Sequence, residues 1–261
     1  MPTKPLVFLH QPKTGGTWVS KCLPQNRVLP HNQNYHSLPY KNKIQPACII
    51  RDPLDYLISL VTFWCLDKTY CGKELSKPAD VQKDEYNALF NTDSPCSHPK
   101  QIISAGFSCK TVPEIIENMV NDEFIAKHAK VLSPNHHTYD YRVFHEMSRL
   151  DIGYYTFAFL DQYARRKITD LHNSTDILNE LTFIRSHYEV INTRNLTRDL
   201  PLLCEKYGLP FRSHPKMKVT TRSAPDAYKF DRPLLERIAY KERHMLTMFG
   251  SLISPISIKQ L

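Results

Sequence analysis

Pro5 to His10 (PLVFLH) is a short apolar run bounded by a proline on one side and a glycine-containing loop on the other. That is the pattern of a buried parallel strand. The loop, Gln11-Pro12-Lys13-Thr14-Gly15-Gly16-Thr17-Trp18, leads into a helix expected from about Gly16 to Leu23. A glycine-rich turn between strand and helix can aim successive backbone N–H groups and the helix N-terminus at a phosphate. Lys13 adds a mobile positive charge, and Thr14 and Thr17 add hydroxyl donors. The octet reads as an anion cradle. It differs from the nucleotide-triphosphate loop GxxxxGK[ST], because the lysine precedes the glycines and no second lysine with a Ser or Thr follows. A kinase or ATPase is therefore disfavoured.

A second strand-to-helix step follows. Ile44 to Ile50 (IQPACII) ends in an apolar run that meets Asp52 and Pro53, a cap-like pair ahead of Leu54, Leu57, Ile58 and Val61 at helical spacing. Arg51 falls at the C-terminal edge of that strand, where open parallel sheets bind ligands, and Ser59 lies two helical turns onward. A guanidinium fork with a hydroxyl suits a terminal phosphate monoester. The Arg-Asp-Pro tripeptide would serve equally as a helix cap, and both readings stay open.

Further along, Tyr154 to Leu160 (YYTFAFL) and Tyr188 to Asn192 (YEVIN) are strand-like, each ahead of a helix-like segment. Arg232 to Phe249 spaces Leu235, Ile238, Met245 and Met248 as one closing amphipathic helix. Strands alternating with helices predict a three-layer α/β fold with a mostly parallel sheet, and the glycine loop between its first strand and helix makes a P-loop-like nucleotide-binding core the expectation. With 261 residues, one domain over 1–261 is the expectation. Between about 67 and 110 the pattern dissolves into polar residues with Pro78, Pro95 and Pro99, an irregular excursion suited to a lid or acceptor-site loop.

Hydrophobic residues at 41% and charged residues at 23% exclude a disordered or fibrous chain. A net charge of +8 points to an anionic ligand or to lysines scattered over a solvated face, and does not choose among nucleotide, polysaccharide and nucleic acid. Seven cysteines, an odd count, read as reduced thiols. Cys65, Cys71, Cys96 and Cys109, with His98 nearby, match no paired zinc template, and no metal is expected. Apolar windows such as Pro5 to Leu9 and Leu57 to Leu66 fall short of the roughly 20 residues that cross a bilayer. Without a secretory pattern near Met1, the expectation is a cytoplasmic protein with no membrane span, and the sequons at Asn173 and Asn195 read as chance.

Together the two loops resemble the PAPS-dependent sulfotransferase family, in particular its carbohydrate-sulfotransferase-like branch whose first loop reads PKTGGT. The resemblance implies that Lys13, Thr14, Gly15, Gly16, Thr17 and Trp18 hold the 5′-phosphosulfate of 3′-phosphoadenosine 5′-phosphosulfate (PAPS). It implies that Arg51 and Ser59, in an RxPxxxxxS-type element, hold the 3′-phosphate. Ile191 to Leu209 resembles the family's strand, turn and helix, with Arg194 or Asn195 where an acidic residue is usual, and Tyr228 to Gly250 resembles its closing helix. Asp67 to Ser148 has no counterpart. The implied product is adenosine 3′,5′-bisphosphate, and the implied partner is a hydroxyl acceptor, with sugar, lipid, phenol and peptide hydroxyls all compatible; nucleic acid is not expected as a partner.

Such a transfer needs a base for the acceptor hydroxyl and a positive partner for the leaving phosphate oxygen. Lys13 suits the second task. For the base the resemblance favours His36, expected on the second strand, and imidazole titrates near neutrality; a structural histidine is the alternative among twelve. His10 reads as packing beside the loop, and His136-His137 as a loop pair. Lys216, Lys218 and Arg222 either supplement phosphate binding, Arg222 foremost, or form a solvated basic loop. A nucleotide kinase and a non-catalytic binder of anionic polymers are the rival functions.

Overall fold

The computed structural model describes residues 4–30, 33–61, 112–131, 139–214 and 228–253. Four parallel strands make its sheet: β1 (Leu6–Leu9), β2 (Val28–Leu29), β3 (Gln45–Ile50) and β4 (Glu189–Asn192), in the order β2-β1-β3-β4. Phe8 pairs with Val28 on one side and with Ala47 on the other, and Ile50 pairs with Asn192. All four residues of β1 and five of the six of β3 are buried, because side chains alternate between two covered faces.

Those faces carry two cores. Leu6, Phe8, Ala47 and Ile49 meet Trp18 and Val19 of α1 (Gly16–Cys22) and, across the same face, Leu196, Leu200 and Leu203. Val7, Leu9, Cys48 and Ile50 face the larger core. It is built from α2 (Pro53–Val61), α3 (Val112–Met119), α4 (Asp122–Val131), α5 (Tyr139–Leu150), α6 (Tyr154–Tyr163) and α7 (Ser174–His187). The chain then forms β4, α8 (Leu196–Lys206), α9 (Arg232–Lys241) and α10 (Arg243–Phe249). The chain is an α/β protein with helices on both sides of a parallel sheet.

Three local expectations are corrected. Tyr154 to Leu160 is not a strand but most of α6, and every residue of that helix except Ala158 is buried. A helix buried all round shows no polar face, so the aromatic run YYTFAFL imitates a core strand. His36 is not on a strand either: β2 is two residues long, and His36 sits in a 3₁₀ turn, Tyr35–Ser37, tied off where Ser37 Oγ donates to the Asn34 carbonyl at 2.7 Å. Finally, Arg232 to Phe249 is two helices, broken at Glu242, whose carboxylate turns inward.

Cys22, Cys48 and Cys204 are free and buried, and burial raises all three thiols, that of Cys204 to about 11. Cys65, Cys71, Cys96, Cys109 and the 67–110 excursion lie outside the described residues.

Candidate anion site at the strand switch point

Chain order and strand order together locate a crevice. From β1 the chain crosses to β2 on one side, and β3 and β4 then extend the sheet on the other. Connections leaving β1 and β3 therefore diverge at their C-terminal ends, which is where open α/β sheets hold ligands. The glycine loop leaves β1 at this edge, and Arg51 leaves β3 beside it.

The loop is tightly bent. Lys13 (φ 67°) and Gly15 (φ 90°) both adopt left-handed backbone, and a Cβ at Gly15 would also come within 2.8 Å of Leu196 Cδ2. Gly16 is required by its neighbour: a Cβ there would lie 1.9 Å from His10 Cδ2. His10 thus packs against the loop, as expected of it. The N–H groups of Trp18 and Val19 both donate to the Gly15 carbonyl, which leaves those of Gly16 and Thr17 ahead of the helical ladder. Thr14 is buried, and its hydroxyl donates 2.8 Å to the Gln11 carbonyl, closing the loop from within. Thr17 is exposed at the loop's rim. Trp18 is buried, with its indole N–H on the His214 carbonyl and its ring edge-on to Phe211, so its side chain packs the helix against the sheet.

The Arg-Asp-Pro tripeptide divides its labour. Asp52 Oδ1 accepts the N–H groups of Leu54 (3.0 Å) and Asp55 (3.2 Å) and so caps α2, and Pro53 opens the helix. Arg51 is left to face the loop: its Nη1 donates 2.9 Å to the Lys13 carbonyl. Burial pulls its guanidinium below the usual arginine value, and the Asp55 carboxylate acts against that pull. The other guanidinium N–H groups of Arg51 meet no hydrogen-bond partner among the described residues. Ser59 and Asp55 are one turn apart on the half-buried stripe of α2, and Asp55 holds Arg194 at 3.1 Å. Thr193, between β4 and Arg194, ties the edge together by donating to Ile50 O (2.9 Å) and Thr14 O (3.4 Å).

Helix α6 sets the height of both loops. Tyr155, Phe159 and Tyr163 form one i, i+4, i+8 face. Tyr155 Oη accepts the Arg51 backbone N–H at 2.9 Å, and Tyr163 Oη donates to the Leu9 carbonyl at 3.3 Å. Burial raises both phenols well above their usual range, so they remain neutral hydroxyls. The helix is capped from a distance: Glu242, fully buried, accepts the N–H of Tyr155 (2.9 Å) and the N–H and hydroxyl of Thr156 (2.8 and 2.6 Å). Gly153 makes room for it, since a Cβ there would lie 2.1 Å from Glu242 Oε1. Tyr155, Tyr163, Thr193 and Glu242 were not singled out from the sequence. The spacing of 155, 159 and 163 was the available signal for the first two; nothing local marks the others.

Half-buried His36 offers its carbonyl to Lys41 Nζ at 3.2 Å, while its neighbour Asn34 reaches Asp161 at the end of α6. Arg222, Lys216, Lys218 and His136-His137 lie outside the described residues. His214, against Trp18, is the last described residue before the basic segment. Among the described residues no three His, Cys, Asp or Glu side chains gather to hold a metal, and no helix is long and apolar enough to cross a membrane. No protein-family profile, curated protein or solved structure matches the chain.

Proposed function

We propose that the chain is a sulfotransferase that moves a sulfuryl group from PAPS to a hydroxyl acceptor, a carbohydrate hydroxyl among the candidates. The observation that carries the reading is the junction of the two sequence motifs: the Arg51 guanidinium, bound to the Lys13 carbonyl, stands with the glycine loop at the switch point of a parallel sheet. Two positive side chains and the uncommitted N–H groups of Gly16 and Thr17 suit a ligand with two separate anionic groups.

In this reading the loop and Lys13 hold the 5′-phosphosulfate, and Arg51 with Ser59 holds the 3′-phosphate. The acceptor oxygen forms a bond to sulfur as the bond from sulfur to the bridging phosphate oxygen breaks. Lys13 stabilises the charge that gathers on that oxygen. His36 takes the acceptor's proton.

Thermal shift and calorimetry with adenosine 3′,5′-bisphosphate, against ATP with magnesium, test the donor class, because a ligand of the native state raises stability by mass action. The bisphosphate is expected to bind without magnesium and to raise the melting temperature more than ATP. A preference for ATP with magnesium would transfer the site to the kinase reading. Salt-sensitive polymer binding without response to either nucleotide would point to a non-catalytic binder.

A further inference from the structure

At the opposite edge of the sheet lies a cavity of about 340 Å³. Its walls include Lys4, just ahead of β1, Gln45 at the first position of β3, and His187, which ends α7 just before β4. Lys4 and His187 precede strands and Gln45 begins one, so this is the N-terminal edge. Six residue steps from Gln45 to Arg51, at about 3.3 Å each, separate it from the switch point by about 20 Å.

The lining is cationic and aromatic. Lys4, Lys41 and Arg165 reach it, and among the described residues no carboxylate lines it. Lys4 has no acidic partner among the described residues, and Lys41 Nζ rests on the neutral His36 carbonyl, 6.0 Å from the Tyr35 ring centroid. Arg165 is braced from behind: buried Glu180 takes its Nη2 at 3.1 Å, and the Phe183 ring lies 4.5 Å beneath its guanidinium carbon. The Arg165 side chain is nonetheless 48% exposed, so the cavity mouth is open to solvent. Phe183 in turn stacks on His187 at 4.3 Å.

Three cations facing a shared space with one buried counter-charge create a positive potential that an anion relieves. The volume exceeds what a free oxyanion fills and falls in the range of small-molecule sites. Tyr35 and Phe183 supply flat apolar wall beside the charges. We propose that this cavity is a second ligand site, which binds a phosphate or sulfate monoester carried on a ring: the ester between Lys4, Lys41 and Arg165, the ring against Tyr35 and Phe183. The proposal does not depend on the sulfotransferase reading, because it uses none of the switch-point residues.

Calorimetry with 4-nitrophenyl phosphate, 4-nitrophenyl sulfate and inorganic phosphate on the whole chain tests it. Lys4 is exposed and Lys41 half-buried, so Lys4→Ala and Lys41→Ala are expected to fold with an unchanged melting temperature. Each should weaken the ring ester about tenfold, the usual scale of a charge-assisted hydrogen bond. Lys41→Arg should retain binding, and Arg51→Ala should leave it unaltered. The phosphate and sulfate arms identify which ester the site prefers. Undiminished binding in the Lys4→Ala/Lys41→Ala double variant, loss of binding in Arg51→Ala, or no binding by either ester would overturn the site. Inorganic phosphate binding as tightly as the ring esters would overturn the role of the ring wall.

Discussion

The guanidinium of Arg51 donates a 2.9 Å hydrogen bond to the backbone carbonyl of Lys13, while the Arg51 backbone N–H donates 2.9 Å to the hydroxyl of Tyr155. One residue thereby fixes the distance between the end of β3 and the loop after β1, and is itself fixed by α6. Two anionic groups on one ligand would be read by a single rigid unit.

Arg51→Ala is expected to weaken adenosine 3′,5′-bisphosphate by about tenfold or more, and adenosine 5′-phosphate less, because only the first carries the 3′-phosphate. Tyr155→Phe leaves the Arg51 side chain in place but removes the acceptor of its buried N–H, at a cost of about 1 to 3 kcal/mol of stability. Calorimetry with both nucleotides on both variants checks this. Equal losses for the two nucleotides in Arg51→Ala would remove the 3′-phosphate assignment.

Lys13 adopts left-handed backbone, at φ 67°, and alanine carries the same Cβ, so Lys13→Ala removes the charge at an unchanged backbone cost. Lys13→Gly removes the charge and relieves that cost as well, and in both variants the Arg51 bond to the carbonyl at position 13 is preserved. The melting temperature should hold while the transfer rate falls by about 10² to 10³, the scale of one preorganised group facing developing charge. A Lys13→Gly enzyme with wild-type turnover would detach this loop from the sulfuryl group.

What was legible in the sequence follows from how local each signal is. The glycine loop, the Asp52 cap and strands β1, β3 and β4 are each written in a few adjacent residues, and the structure has them where Pro5 to Val61 and Tyr188 to Asn192 predict. Helix α6 was misread because complete burial erases the polar face that distinguishes a helix from a strand. Glu242 was invisible for another reason: the N–H groups it caps lie more than 85 positions away in sequence. That Arg51 would grip the loop through a carbonyl rather than stand apart from it depends on the β1–β3 register, which no single segment encodes.

His36→Ala tests the proton acceptor. If the imidazole takes the acceptor's proton, turnover should fall by about 10² to 10⁴ while bisphosphate affinity and melting temperature stay near wild type. A packing histidine would lower stability and affinity together. Single-turnover rates, calorimetry and melting on the same variant separate the two, and a rate within a few-fold of wild type would exclude His36 as the base.

Glu242 predicts an unusual pH dependence. Its burial raises the carboxyl above the ordinary glutamate value, although the Thr156 hydroxyl, the N–H groups of Thr156 and Tyr155 and the charge of Lys241 oppose the rise. Between the unfolded value and the raised folded value the native state binds more protons than the unfolded chain. Stability from this group is therefore lost as pH climbs through that window and recovered as pH falls back through it. Asp151 runs the other way. Burial would raise its carboxyl, but bonds from Lys241 and Tyr240 and the Lys241 and Arg243 charges hold it below the ordinary value, so its contribution fades in acid. Comparing wild type with Glu242→Gln cancels the Asp151 contribution, which both proteins share. The wild-type melting temperature should gain on that of the variant as pH is lowered from neutrality toward the ordinary carboxylate range. A difference that stays flat, or grows with rising pH, would refute the assignment. Glu242→Ala, which uncaps α6, should cost about 2 to 3 kcal/mol and weaken bisphosphate binding through Tyr155 and Arg51, although Glu242 itself is fully buried.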